Sequence, residues 1–222
     1  MDERIQRDGT RRKYLAAVAA GGAASLGGCL GVLGGGGSSY DCSGEGGEKV
    51  TEAPQPALGS SDAPVTVKVW EDFSCPHCKT FSLDVFPKIR EEYVSTGKVR
   101  YEHHDFPIPV REWAWGAASA GRAVHEATDA ETFFAFAKEV FSRQNNYGMG
   151  ALGKSAEAVG AEPCTPILAA KNGTYRPVIE ADRQRGSEMG VQGTPAIFVD
   201  GEQLTTDSRG FDAVSSLIEQ KL

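Results

Sequence analysis

Val65-Thr66-Val67-Lys68-Val69-Trp70-Glu71-Asp72-Phe73-Ser74-Cys75-Pro76-His77-Cys78-Lys79 places two cysteines, two residues apart, directly behind an apolar run. Val65–Trp70 is rich in β-branched residues and follows Asp62-Ala63-Pro64, so it reads as a buried strand. After Cys78 the apolar residues Phe81, Leu83, Val85, Phe86 and Ile89 are spaced as on a helix. Cys75 then falls at the first turn of that helix, where free N–H groups and the positive dipole end favour an anion. Pro76 suits the first turn, because the N–H it lacks would have been unpaired there anyway. Cys78 lies one turn further in, on the same side and within disulfide reach.

The thiolate, not the thiol, attacks a disulfide. A cysteine with a pKa near 8.5 is only about 3% ionised at pH 7, whereas a helix N-terminus and nearby cations lower that value to roughly 3.5–7.5. His77 adds a polar donor or cation beside the sulfur. The pattern predicts Cys75 as the exposed, exchanging sulfur and Cys78 as the buried, resolving one. Rival readings of the spacing are weaker. Structural zinc needs a second Cys or His pair, and no second CxxC exists. His103-His104 are strand neighbours that point to opposite faces. Covalent haem needs CxxCH, and position 79 is Lys. A purely structural disulfide across four residues would restrict the unfolded chain little.

Glu71-Asp72-Phe73-Ser74-Cys75-Pro76-His77-Cys78, together with Gly193-Thr194-Pro195, resembles the DsbA family of extracytoplasmic thiol–disulfide oxidoreductases. The resemblance runs from about Pro64 to the C-terminus. It implies an α/β chain: a thioredoxin-like fold with an inserted all-helical domain. It also implies a cis proline beside the active-site sulfurs, carried over to Pro195 and preceded by Thr194. The implied active-site set is Cys75, Cys78, His77, Pro76, Thr194 and Pro195, working without cofactor or metal. One position departs from the family. Its members commonly carry a buried acid six residues before the first cysteine, and here that residue is Val69. Glu71, Asp72 and Glu102 are the remaining candidates for the proton acceptor of Cys78.

The N-terminus carries a different message. Thr10-Arg11-Arg12-Lys13-Tyr14-Leu15 is a twin-arginine pattern, followed by a short Ala/Gly-rich run. Residues 1–28 therefore read as an export signal. Leu26-Gly27-Gly28-Cys29 resembles a lipobox, which makes Cys29 the predicted lipidation site and anchors the chain to the outer face of the cell membrane. The net charge is −7. Removing 1–28 takes away five basic and three acidic residues, leaving −9. That balance argues against a nucleic-acid partner.

Residues 29–60, with Gly34-Gly35-Gly36-Gly37 and Gly44-Glu45-Gly46-Gly47, read as a disordered tether. Cys42 within it is either an incidental thiol or half of a disulfide, with Cys164 one choice of partner. Residues 61–110 form the first thioredoxin-like part, with Val99–His104 as a second strand parallel to the first. Thr96-Gly97 ends the intervening helix. Residues 111–189 break the strand pattern. Helices are expected at 112–128, 130–143 (with Asp129 as N-cap), 151–159, 165–171 and 175–189. Residues 190–222 return to the sheet, with an Asp200-Gly201 hairpin turn and a last helix from Phe211. Cys164 reads as a structural thiol. Asn172-Gly173-Thr174 matches an N-glycosylation pattern.

These readings converge on a protein thiol–disulfide oxidoreductase outside the cytoplasm. Its substrates would be exported proteins with free thiols, and a membrane partner would reoxidise it. Two alternatives stay open on sequence: a reductase or isomerase in the same compartment, and a lipoprotein that binds metal or peptide without turnover.

Overall fold

The computed structural model describes residues 40–44, 47–108, 111–205 and 208–222. The expected signal segment and Cys29 lie outside the described residues. Five strands form one mixed sheet: β1 (Ala57–Leu58), β2 (Val65–Glu71), β3 (Val99–Asp105), β4 (Ala196–Val199) and β5 (Glu202–Gln203). Their spatial order is β1-β3-β2-β4-β5. β2 and β3 are parallel, from Val65 opposite Val99 to Glu71 opposite Asp105. β4 runs antiparallel to β2, with Val69 opposite Ile197. β5 folds back on β4 through Asp200 (φ 45°) and Gly201 (φ 82°). Both positive angles are what a tight hairpin of right-twisting strands requires.

The crossover between β2 and β3 is helix α1, 76–94, and it is not uniform. Pro76–Thr80 and Phe86–Ile89 are α-helical, while Phe81–Val85 and Arg90–Val94 are wider π turns. The first wide stretch lies just ahead of Pro87, whose ring and missing N–H disturb the regular ladder. The sequence foretold one unbroken helix to about Ser95, and the extent agrees.

Between β3 and β4 stand α2 (Glu112–Ala127), α3 (Ala130–Ser142), α4 (Met149–Ala158), α5 (Cys164–Asn172) and α6 (Arg176–Glu188). Each lies within two residues of its expected span. Asp129 caps α3 by accepting from the Thr132 N–H at 2.7 Å. α7 (Phe211–Lys221) closes the chain, with Val214, Leu217 and Ile218 buried. α3 has two apolar faces. Phe133 and Phe134 join the core around the sheet, α1 and α7. Phe136 and Phe141 join the core of the helical insertion, which also receives Phe73, Cys75 and Cys78. The active-site turn is thus gripped between the two cores.

The tether expectation needs correction for its described part. Cys42 is disulfide-bonded to Cys164, across 122 residues. The Tyr40 hydroxyl donates to Glu157 at 2.7 Å, and the ring occupies the space beside Gly153 that a Cβ would need. The Val50 N–H donates to the Thr174 carbonyl at 2.9 Å, and the His103 N–H donates to the Pro56 carbonyl at 3.0 Å. Strand β1 then pairs with β3. Gly- and Ser-rich composition registers how little this stretch can bury by itself; it cannot register the covalent link and the backbone partners that other elements supply.

Candidate active site

Cys75 is the N-cap of α1, with extended backbone (φ −83°, ψ 123°), and Pro76 opens the helix. The turn before it is built by Asp72. One of its carboxyl oxygens accepts from the Ser74 N–H at 2.7 Å and the other from the Ile108 N–H at 2.9 Å. Its carbonyl accepts from the Cys75 N–H at 2.9 Å. Its own N–H donates to Cys78 Sγ at 3.4 Å. Cys75 is 7% exposed and Cys78 0%, and both are free thiols. The Cys75 thiol donates to the Thr194 carbonyl at 3.4 Å. The Thr194–Pro195 peptide is cis. Residues 119 apart in sequence thus meet at one sulfur, because β4 lies beside β2 and its entry loop reaches the start of α1.

The two thiols are driven apart electrostatically. Cys75 is lowered to about 5, first by hydrogen bonding from Cys78, against burial, and then by the Thr194 side chain and the backbone N–H groups of Cys78 and His77. Cys78 is pushed well up by burial, by Cys75 and by the charge of Glu71. His77 contributes in a way the sequence did not suggest. Its imidazole is exposed, and the hydrogen bond it gives the sulfur comes from the backbone.

Several residues of the site escaped sequence reasoning. Gln144, read as part of a polar loop, is 5% exposed. Its Nε2 donates to the carbonyls of Phe73 and Cys75, each at 2.8 Å. Tyr147 donates to the Ser74 carbonyl at 3.3 Å and packs on Trp113 with ring centroids 5.0 Å apart. Replacing Gln144 with Leu strands the buried Phe73 carbonyl, worth about 1–3 kcal/mol when unpaired, while the Cys75 carbonyl keeps the Lys79 N–H at 3.1 Å. The Gln144→Leu protein is expected to lose about 1–3 kcal/mol in urea unfolding, read as a lower midpoint at unchanged slope.

Behind Cys78 lies a buried polar network. Glu71 accepts from the Ser82 hydroxyl at 2.8 Å, and its other oxygen lies 3.1 Å from His103 Nδ1. His103 Nε2 lies 3.3 Å from Asp105. Arg122 donates to Asp105 at 2.7 Å and to Asp182. Asp182 also meets His104 Nδ1 at 3.0 Å and Arg185 at 2.6 Å. His103 and His104 do take opposite faces of the sheet, as adjacent strand residues must, yet both are buried because helices cover both faces. Of the three acids considered for Cys78, Glu71 is the one whose charge acts on it. Glu102 is instead engaged with Arg100 at 2.8 Å and with Lys68 at 3.7 Å. Among the described residues no group of three His, Cys, Asp or Glu side chains is arranged to hold a metal ion.

Comparison with known proteins agrees with this geometry. The chain is 29% identical over 187 residues to a "Probable disulfide bond formation protein D" of Bacillus cereus, covering 80% of this chain and 83% of that one. It is 29% identical over 178 residues to the "Disulfide bond formation protein D" of Bacillus subtilis, covering 76% and 77%. Oxidised BdbD from Bacillus subtilis superposes with a TM-score of 0.68 at 28% identity, over 79% of this chain and 98% of that one. DsbA of Chlamydia trachomatis shares the fold, with a TM-score of 0.68 at 22% identity over 77% and 93%. The fold is therefore thioredoxin-like with a helical insertion, as the resemblance implied. Residues 51–220 match the family described as Thioredoxin, and the chain belongs to that family as a DsbA-like protein disulfide oxidoreductase.

Proposed function

We propose that the chain is a disulfide donor to exported proteins, working outside the cytoplasm. The observation that carries this direction is the asymmetry of the pair: Cys75 is lowered to about 5 while Cys78 is pushed well above the ordinary thiol range. A sulfur that is stable as a thiolate is a good leaving group, so a disulfide made from it is readily attacked and strongly oxidising. A substrate thiolate attacks Cys75, the Cys75–Cys78 bond breaks, and Cys78 leaves. The substrate's second thiolate then attacks its own sulfur in the mixed disulfide and releases Cys75. Thr194 and cis Pro195 present backbone beside the sulfur for an extended substrate segment. In this reading Cys75 and Cys78 are the redox pair. Pro76 and His77 shape the helix start, and Thr194 and Pro195 form the substrate side.

The Cys42–Cys164 disulfide supports an oxidising compartment. Export by the twin-arginine route and anchoring through a lipidated Cys29 are supported by Arg11-Arg12 and by Leu26-Gly27-Gly28-Cys29. Loss of membrane association in Cys29→Ala would test the anchor. Reoxidation by a membrane partner completes the cycle. The direction is tested by iodoacetamide alkylation of the reduced protein against pH. We expect a midpoint for Cys75 near 5, and a midpoint above 8 would remove the argument for a disulfide donor. A redox titration against glutathione separates a donor from a reductase or isomerase.

A further inference from the structure

Beyond β5 the chain runs back along β4 towards Pro195, the Leu204 N–H donating to the Ile197 carbonyl at 2.9 Å. This returning chain and the loop that leads into β4 line a pocket of about 500 Å³. Gln192 and Pro195 come from the loop, and Gln203, Thr205 and Arg209 from the returning chain. Arg209 is the one charged residue among the described lining. It is half-buried, and its Nε is shut away from solvent with no hydrogen-bond partner among the described residues. The acids of the β4–β5 hairpin are engaged elsewhere. Glu202 accepts from Lys221 at 2.8 Å, and Asp200 accepts from the Thr66 N–H at 2.8 Å. A partly desolvated guanidinium without a carboxylate is a vacancy for one.

We propose that Arg209 selects protein substrates that carry an acidic side chain a few residues from the reacting cysteine. The inference rests on the disulfide-exchange reading above and names the class of substrate that this reading leaves open. Sulfur and pocket are joined by a short path. Cys75 Sγ meets the Thr194 carbonyl at 3.4 Å, and the next residue, Pro195, lines the pocket. A substrate segment laid along Thr194 to reach Cys75 therefore passes the pocket. Three extended residues span about 10 Å, enough to carry a side chain from the sulfur to the pocket. The guanidinium offers its donors in a fixed fork that fits a carboxylate. Gln192, Gln203 and Thr205 add uncharged donors and acceptors and leave the sign of the pocket to Arg209. The whole chain has a net charge of −7, which repels acidic partners at long range. The selection is thus a contact effect, felt once the substrate is docked.

The test uses the full oxidised chain and reduced Cys-x-x-Cys peptides. These carry Glu, Gln or Lys either three residues before the first cysteine or three after the second. Flanking charge alters the thiolate fraction, so each rate is divided by that of the same peptide with 2-hydroxyethyl disulfide. On the side where the contrast is larger, the native chain should favour the Glu peptide over the Lys peptide about 10-fold in kcat/KM, the scale of one charge-assisted hydrogen-bonded pair. Arg209→Gln should bring that ratio near one. Arg209→Glu should invert it, which damage to the loop alone would not do. A native ratio near one on both sides would overturn the proposal, and so would a ratio that neither variant changes.

Should Arg209→Glu not fold, Gln203→Glu sets a carboxylate into the same pocket beside an intact Arg209. It should cut the preference for the Glu peptide by about threefold or more, as a competing partner for the guanidinium. An unchanged preference there would overturn the proposal as well. A native chain that oxidises none of the peptides would instead overturn the disulfide-exchange reading on which this one rests.

Discussion

Cys75→Ser should abolish disulfide exchange, lowering turnover of a reduced protein substrate on the order of 10³-fold or more, as removal of a reacting nucleophile does elsewhere. The serine hydroxyl occupies the same N-cap and meets the same N–H groups, but it cannot form or break an S–S bond. Cys78→Ser should behave differently. Cys75 keeps the donors from Thr194 and from the N–H groups of Cys78 and His77 that hold it as an anion, while losing the hydrogen bond from the Cys78 thiol. It should therefore still attack a substrate that carries a disulfide, expelling one substrate sulfur as thiolate, and without its resolving partner it should retain that substrate as a mixed disulfide. Non-reducing electrophoresis reads both results. An adduct on Cys75→Ser and none on Cys78→Ser would reverse the two roles.

The second large effect is expected far from the sulfurs. Asp182 is 0% exposed and gathers Arg122, His104 and Arg185. Asp182→Ala leaves the buried Arg122 with Asp105 as its remaining carboxylate, and removing one partner of a buried ion pair costs about 3–5 kcal/mol. Burial by itself would raise the Asp182 carboxyl, but the His104 hydrogen bond and the Arg122 charge outweigh it and hold it well below the usual carboxylate range. A carboxyl depressed in the folded chain adds stability above its unfolded value, about 3.9, and that stability fades as pH falls towards the folded value. The native protein and Asp182→Ala should therefore differ most at neutral pH and converge on acidification. Urea unfolding at a series of pH values measures this. A gap that widens below pH 4 would mean that Asp182 does not hold its charge in the fold.

Much of the fold was legible because it repeats. Val65–Trp70 and the helices of the insertion carry their periods in plain view, and Asp129 and Asp200-Gly201 announce their turns by residue type. The sulfur pair was legible because CPHC follows a strand and opens a helix. What stayed hidden depends on partners distant in sequence. Gln144 looks like any polar loop residue until Phe73 and Cys75 turn their carbonyls to it. Glu71 was hard to place because alternation stops at the strand end: Trp70, Glu71 and Asp72 are all buried, since helices cover both sheet faces there. His103 gave no sign of its place in the buried network, because the carboxyls beside it come partly from another strand. Residues 40–44 and 47–58 look unstructured by composition, and their partners Cys164, Glu157, Thr174 and His103 lie far away in sequence.

The bond from Cys42 to Cys164 has a mechanical consequence. The covalent loop it closes contains both Cys75 and Cys78. Tension applied ahead of Tyr40 and resisted at the C-terminus crosses from Cys42 straight to Cys164, so the loop hangs slack beside the loaded path. The two exchanging cysteines lie off that path, whereas Thr194 and Pro195, past Cys164, lie on it, so tension would draw the substrate side away from the sulfurs.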